Sequence, residues 1–485
     1  MRIVKNLSAM KSIVALTVAL VFLSLTAVAQ KDGDGKSTAE SFGKVIPDLL
    51  ERSDTPGMSI GVLREGKLVW TGSFGVKSKK TEDAVEADTI FEAASLTKPV
   101  TAYAALKLVD KGKLDLDKPL NEYLGNDYDV GDDPRLKMIT ARRVLSHTSG
   151  FPNWRRRGSK TLPINFTPGE KFSYSGEGFV YLSKVIEKIV GIPFEELVAT
   201  EVFGPLGMKH SSLVWKEEFG SEKAENHDTL AEPKGLNDDI KANAAASLHT
   251  TAGDYARFVS ALLKGKGLEP STAKQMLTPQ IRVDPEDETA LAWGLGIGLE
   301  VVDGKKAFWH WGDNGWNRAF VIADAESGDG FVMFANGTNG LSFLREILSI
   351  GLPGRHPSEA WLGYERFDSV GRTLFKAILA EGAGSALERY DSTKGSTETG
   401  GLSERQMNRL GYDLLRLKRT EDAIVIFERN TRDHPESANV WDSLAEAYLT
   451  AGKKEKAIEF YRKSLALDPE NTNAAEKIKE IEEAN

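Results

Sequence analysis

Ser95-Leu96-Thr97-Lys98 sets a hydroxyl and an amine one helical turn apart, where a β-rich run, Thr89-Ile90-Phe91-Glu92-Ala93-Ala94, gives way to a long amphipathic helix. Side chains three apart on a helix share a face, so Lys98 can lie beside Ser95. A serine hydroxyl is a weak nucleophile until a base takes its proton. A lysine with an ordinary pKa of about 10.4 is such a base only where burial or nearby positive charge lowers it toward neutrality. The expectation is a buried, crowded site.

Four Ser-x-x-Lys runs occur, at Ser8/Lys11, Ser41/Lys44, Ser95/Lys98 and Ser271/Lys274. Ser8 falls in a targeting segment, Ser41 precedes an exposed helix, and Ser271 follows Pro270, where a helix N-cap is a sufficient reading. Two distant motifs single out Ser95. The first is Thr167-Pro168-Gly169-Glu170-Lys171-Phe172-Ser173-Tyr174-Ser175-Gly176, which opens a helix from Phe179 to Val190. The second is His310-Trp311-Gly312-Asp313-Asn314-Gly315, lodged between candidate strands.

In this order the motifs resemble those of the serine β-lactamase-related hydrolases: class C β-lactamases, D-alanyl-D-alanine peptidases and lactamase-like esterases. That family carries Ser-x-x-Lys, then Tyr-x-Asn, then Lys-Thr-Gly or His-x-Gly. The stretches Leu114-Asp115-Leu116-Asp117-Lys118-Pro119-Leu120 and Val144-Leu145-Ser146-His147-Thr148-Ser149-Gly150 add to the resemblance, which covers roughly residues 37 to 355. It implies Ser95 as the acylated nucleophile, Lys98 as its base and Tyr174 as a second proton-transfer group. It also implies an oxyanion hole from the backbone N–H groups of Ser95 and Asp313. The implied fold is α+β, a mainly antiparallel sheet with flanking helices plus a helical lobe, with the motifs meeting in the cleft between lobes.

Two departures bear on substrate. Gly176 stands where the family has asparagine, and His310-Trp311-Gly312 where it has Lys-Thr-Gly. The resemblance thus implies that the side chains holding a substrate's amide and carboxylate are gone, so β-lactams should bind poorly while acyl transfer survives. Other readings stand beside these roles. Tyr174 could anchor a loop by its hydroxyl, and His310, between Trp309 and Trp311, could be a packed strand histidine. His147 reads as a structural hydrogen-bonder, and no aspartate stands out to complete a Ser-His-Asp triad.

A net charge of −9 argues against a nucleic-acid partner. The compact basic run Arg155-Arg156-Arg157 reads as a solvated loop, or as a cleft rim attracting an anionic substrate. Histidines are scattered without ligand spacing and cysteine is absent, so no catalytic metal, cofactor or disulfide is expected. Arg2, Lys5 and Lys11 precede an apolar run from Ile13 to Ala29 that ends Ala27-Val28-Ala29, so residues 1–29 read as a signal peptide and the protein as exported, periplasmic or secreted. An uncleaved anchor is the competing reading.

A flexible lead-in, Lys31 to Lys36, precedes a helix from Thr38 to Glu51. A hairpin follows, Met58 to Leu63 and Lys67 to Trp70, turning at Arg64-Glu65-Gly66. Ser95 to about Leu263 reads as mainly helical. Strands are expected at Ile297–Val302, Ala307–Trp311, Ala319–Ala323 and Gly330–Ala335.

The C-terminal part repeats with a 34-residue period: Leu410 and Leu444, Ala423 and Ala457, Phe427 and Tyr461, Pro435 and Pro469. That is the tetratricopeptide period. The expected organisation is a hydrolase domain over 37–355, a helical connector and linker over 356–403, repeats at 404–437 and 438–471, and a capping helix over 472–485. The helices of residues 360 to 391 could pack beside the repeats, with Ser392 to Gly401 as linker. The expected function is ester or amide hydrolysis, or hydrolysis of a peptide substrate, with a tail that could bind a protein or peptide. D-amino-acid peptidase, weak β-lactamase and a non-catalytic scaffold are the alternatives.

Overall fold

The structure, a computed structural model, describes residues 35–125, 128–156, 158–284, 291–393 and 401–483. The expected signal segment, most of the lead-in and of the linker, Ser8/Lys11 and Arg157 lie outside those residues. Two compact units divide the chain between Gly363 and Tyr364.

The first unit is built on an eight-stranded antiparallel sheet. Its strands are β1 (Gly57–Arg64), β2 (Lys67–Gly75), β7 (Ile281–Arg282), β8 (Leu291–Trp293), β9 (Gly298–Val302), β10 (Lys305–Asp313), β11 (Arg318–Asp324) and β12 (Gly330–Ala335), in the order β2-β1-β12-β11-β10-β9-β8-β7. The two-residue loop Glu65-Gly66 has both φ angles positive, 51° and 68°, the turn whose twist suits a right-handed hairpin. Every residue of β1, β11 and β12 is buried, which fits central strands covered on both faces. The helix α1 (Lys36–Ser53) packs on β2. Three short strands, β3 (Phe91–Ala94), β4 (Asn226–His227) and β5 (Pro233–Gly235), and then β6 (Leu248–Thr250), lie outside that sheet; β3 pairs with β6 and β4 with β5.

Helices fill the region between β3 and β6: α2 (Thr97–Asp110), α3 (Gly176–Val190) and shorter turns, followed after β6 by α4 (Ala252–Leu263). The expectation that α2 is amphipathic is not met. Residues Thr97 to Leu106 and Leu108 are all buried, because Val100, Ala102, Tyr103, Ala104, Ala105 and Leu106 are apolar round the whole helix and neighbours cover every side. Ser271, read as a helix cap, lies inside the first turn of a helix capped by Glu269.

The second unit is all-helical. Helices Val370–Glu381 and Ala383–Thr393 precede the pairs Glu404–Arg416 with Thr420–Asp433 and Ala438–Thr450 with Lys454–Leu467, then Thr472–Glu483. Corresponding helices of the two pairs start 34 residues apart, at Glu404 and Ala438 and at Thr420 and Lys454. The helices of the first pair approach closely at Gly411, where a Cβ would sit 2.5 Å from the Phe427 ring. Ala445 and Tyr461 stand at the equivalent small and large positions one period later, both buried. The helices before the repeats pack alongside: Asp391 pairs with Arg429 at 2.7 Å, and Asp422 accepts the Ala383 N–H at 2.8 Å.

Candidate active site

β3 delivers the nucleophile turn. Ala94 adopts φ 47°, a left-handed conformation that disfavours a residue with a Cβ by about 1–2 kcal/mol, and the pairing of β3 with β6 slips between Glu92 and Ala94. The chain thereby leaves the strand sharply, and Thr97 anchors the bend: its hydroxyl donates to the Ala94 carbonyl at 2.6 Å and accepts the Leu248 N–H at 2.9 Å. Ser95 sits in the turn itself, two residues ahead of α2, with the Lys98 N–H bonded to the Ser95 carbonyl at 3.0 Å. That closure aims Lys98 Nζ at Ser95 Oγ, 3.1 Å away.

The amine has one other hydrogen-bond partner, the Ala245 carbonyl at 3.0 Å. It lies 4.7 Å from the Tyr174 ring centroid and 5.8 Å from that of Phe179, and among the described residues no carboxylate pairs with it. Lys98 is fully buried, and burial pushes it down from 10.5 to about 7. The neutral amine that a serine nucleophile needs is therefore well populated near neutral pH.

Tyr174 covers the other side of this pair. Its hydroxyl is buried without a hydrogen bond of ordinary geometry, and burial raises its pKa, offset only in part by the nearby Ser95 hydroxyl. The phenol stays protonated, so it can pass a proton but does not serve as a standing base. His147 stacks on the Tyr174 ring at 4.3 Å and accepts the Ser175 N–H on Nδ1 at 3.0 Å. Burial, with Lys98 and His310 nearby, holds His147 well below its usual range and keeps it neutral. It pins the tyrosine segment in place.

His310 is enclosed by Trp293, Trp311 and Tyr174, at 5.5, 5.3 and 6.1 Å between rings. Its Nδ1 bonds to the Trp311 carbonyl at 2.8 Å, and burial lowers it to about 3, with Lys98 contributing. It is a packed, neutral strand histidine and supplies no positive charge for a substrate carboxylate. Gly312 lies so close to the Ala93 carbonyl that no Cβ fits, which brings the strand end bearing Asp313 against the turn of Ser95. The Asp313 carboxylate pairs with Arg318 at 2.7 Å.

A Cβ on Gly176 would meet the Trp154 ring at 2.7 Å. Arg155, read as a solvated or rim cation, is neither: its guanidinium binds the buried Glu177 carboxylate at 2.8 and 3.0 Å and the Tyr128 hydroxyl at 3.1 Å. Its charge is neutralised, so it does not recruit an anion. Among the described residues one group of acids, Glu86, Asp88 and Glu222, gathers ligand atoms as a metal site would. Two of the three are exposed, and none belongs to the Ser95 cluster.

Comparison with known proteins gives the family. Residues 42–348 match the Beta-lactamase family, and residues 438–471 match the Tetratricopeptide repeat. The chain belongs to the β-lactamase family. It is 26% identical over 327 residues to penicillin-binding protein 4 of Amycolatopsis lactamdurans, covering 62% of this chain and 85% of that protein. It is 25% identical over 324 residues to esterase EstB of Burkholderia gladioli, covering 56% and 81%. A solved class C β-lactamase superposes with a TM-score of 0.58 at 20% identity, over 68% of this chain and 99% of that one, and shares the fold.

This β-lactamase-family unit has a second buried cluster that carried no signal in the sequence. Glu92, three residues before Ser95, accepts from Asn226 at 2.8 Å, Asn317 at 3.1 Å and Asn314 at 3.3 Å, and Lys223 lies 3.8 Å from it. Burial lowers Lys223 to about 8, with Glu92 opposing. One carboxylate thus ties β3 to the loop after the His310-Trp311-Gly312 strand. Glu92→Ala would strand a buried cation and several amides, and should destabilise this unit by about 3–5 kcal/mol. Urea unfolding read by tryptophan fluorescence checks this, since eight of the nine tryptophans lie before Gly363. A loss below about 1 kcal/mol would show the cluster to be dispensable.

The sequence motifs thus bring Ser95, Lys98, Tyr174, His310 and Gly312 together. Ala245 was missed because only its backbone carbonyl acts. Trp154 was missed although a lone tryptophan beside the Ser146-His147-Thr148-Ser149-Gly150 turn was visible.

Proposed function

We propose that the chain is an exported serine hydrolase that cleaves esters through an acyl-enzyme on Ser95, with Lys98 as base and Tyr174 as proton relay. The observation that carries this reading is the Lys98 amine, fully buried, 3.1 Å from Ser95 Oγ and lowered to about 7. The neutral amine takes the hydroxyl proton as Oγ attacks the ester carbonyl. The backbone N–H groups of Ser95 and Asp313 receive the oxyanion. The proton on Lys98 then passes, by way of the Tyr174 hydroxyl, to the departing alkoxide. Water, activated by the same amine, releases the acid and restores Ser95.

Esters are favoured over β-lactams and D-alanyl peptides because the groups that would pair a substrate amide and carboxylate are missing: residue 176 is glycine and His310 is buried and neutral. A relative named as an esterase supports the same choice. Export rests on the leader pattern of residues 1–29. The tetratricopeptide unit supports protein interaction at the tail.

One missing charged hydrogen bond removes about 1.5–3 kcal/mol and one missing neutral bond about 0.5–1.5 kcal/mol, so together they should separate the substrates by about 1.5 to 3 orders of magnitude in kcat/KM. The measurement is kcat/KM for p-nitrophenyl butyrate, a chromogenic cephalosporin and a D-alanyl peptide on one preparation. The ester should lead. A cephalosporin or peptide value at or above it would overturn the ester reading, and no turnover of any of them by folded protein would favour a non-catalytic scaffold.

A further inference from the structure

Ser175 is extended, with φ −137° and ψ 115°, so Tyr174 and residue 176 project to the same side of the chain, the side that holds Ser95 and Lys98. At residue 176 that direction is occupied. A Cβ there would lie 2.7 Å from Trp154 Cη2 and 2.9 Å from the Asn153 carbonyl. The indole therefore stands where a side chain at 176 would reach out.

Trp154 is 47% exposed, an unusual position for so large an apolar surface, yet the backbone on both sides of it is tied down. The Gly176 N–H donates to Asn153 Oδ1 at 3.0 Å, the Glu177 N–H donates to the Asn153 carbonyl at 3.0 Å, and the Arg155 N–H donates to Glu177 at 3.1 Å. The bonded Arg155–Glu177 pair completes the strap. An aromatic face kept open on a preorganised loop loses little freedom when a ligand covers it.

We propose that Trp154 is a specificity-determining residue: its indole forms an apolar wall beside Tyr174 that receives an aryl or alkyl substituent of the ester and closes the space a polar side chain at 176 would need. This deepens the ester-hydrolase reading and rests on it for the identity of the substrate. It makes glycine at 176 and tryptophan at 154 a coupled pair. Gly176→Asn alone collides with the ring, whereas adding Trp154→Gly removes that collision and leaves the tight approach to the Asn153 carbonyl.

The experiment compares p-nitrophenyl phenylacetate with p-nitrophenyl acetate, and phenyl acetate with methyl acetate, on the full chain. In Trp154→Ala the preference for the aryl member of at least one pair should fall about tenfold, the size of one aromatic contact. Gly176→Asn should lose at least about tenfold in kcat/KM for p-nitrophenyl acetate, and the added Trp154→Gly should recover part of that loss. Unchanged preference in both pairs, or a Gly176→Asn variant indifferent to Trp154, would overturn the proposal. A binding arm keeps it separate from the catalytic reading: in Ser95→Ala, p-nitrophenyl phenylacetate should bind about tenfold more weakly once Trp154 is alanine. If wild type turns over no ester, the hydrolase reading falls and this arm alone decides the role of Trp154. Equal binding with and without the indole would refute it.

Discussion

Ser95→Ala should lower hydrolysis of p-nitrophenyl butyrate by at least about 10³-fold, because without the hydroxyl no acyl-enzyme forms and only binding and the oxyanion donors remain to assist water. Folding should be unaffected. The side chain is only partly buried, and its hydroxyl accepts from Lys98 Nζ at 3.1 Å, so removing the hydroxyl leaves the apolar core untouched. Two serines with a lysine three residues later serve as controls: Ser41, whose hydroxyl bonds back to the Ser37 carbonyl, and Ser271, in the first turn of a helix. Ser41→Ala and Ser271→Ala should hydrolyse the ester at the wild-type rate. Rates are measured with thermal melts on the same samples. Full activity in a folded Ser95→Ala protein would remove Ser95 from the chemistry.

Lys98 carries the next largest effect and a pH signature. Lys98→Ala should slow acylation by about 10²–10⁴-fold, the range of a positioned proton-transfer group, and Tyr174→Phe by about 10². Lys98→Arg should not rescue, since a guanidinium holds its proton throughout the accessible range. With the amine lowered to about 7, the reactive form is neutral, so kcat/KM should fall about tenfold per pH unit below pH 7 and level off above it. Stability should also rise with pH, but over a higher range. Between pH 7 and 10.5 the unfolded chain holds this proton more tightly than the folded one. The destabilisation is therefore complete below about pH 7 and fades as pH rises toward 10.5. Lys98→Met keeps the length of the side chain without the charge, and should stabilise the protein by about 1–3 kcal/mol at pH 7 while abolishing turnover, with the gain shrinking toward pH 10. A kcat/KM profile flat from pH 5 to 9, or a Lys98→Met gain over wild type no larger at pH 7 than at pH 10, would contradict a buried neutral amine.

The parts of the site legible in the sequence are those whose chemistry resides in a side chain at a set spacing. Ser95 and Lys98 meet because a tight turn closes across three residues, and Tyr174 and His310 were found by the order of their motifs. Strands β9 to β12 were readable because their apolar runs end at turn residues, and the tetratricopeptide pairs because Gly411 and Phe427 recur as Ala445 and Tyr461. What could not be read depends on tertiary contact. The Ala245 carbonyl reaches Lys98 across 147 residues, and Glu92 gathers amides from Asn226, Asn314 and Asn317. The burial of α2 on every side, which lowers Lys98 toward neutrality, is set by its neighbours. For the same reason Arg155 looked like a free cation until Glu177 was found against it.

The most direct test is to quench the full-length enzyme during turnover of p-nitrophenyl butyrate and locate the butyryl group by peptide mass spectrometry. The acyl group should appear on Ser95, accumulate to a steady level in wild type, and build up far more slowly in Lys98→Ala. A butyryl group on any other residue, or turnover that continues with none on Ser95, would contradict nucleophilic catalysis by the Ser95–Lys98 pair.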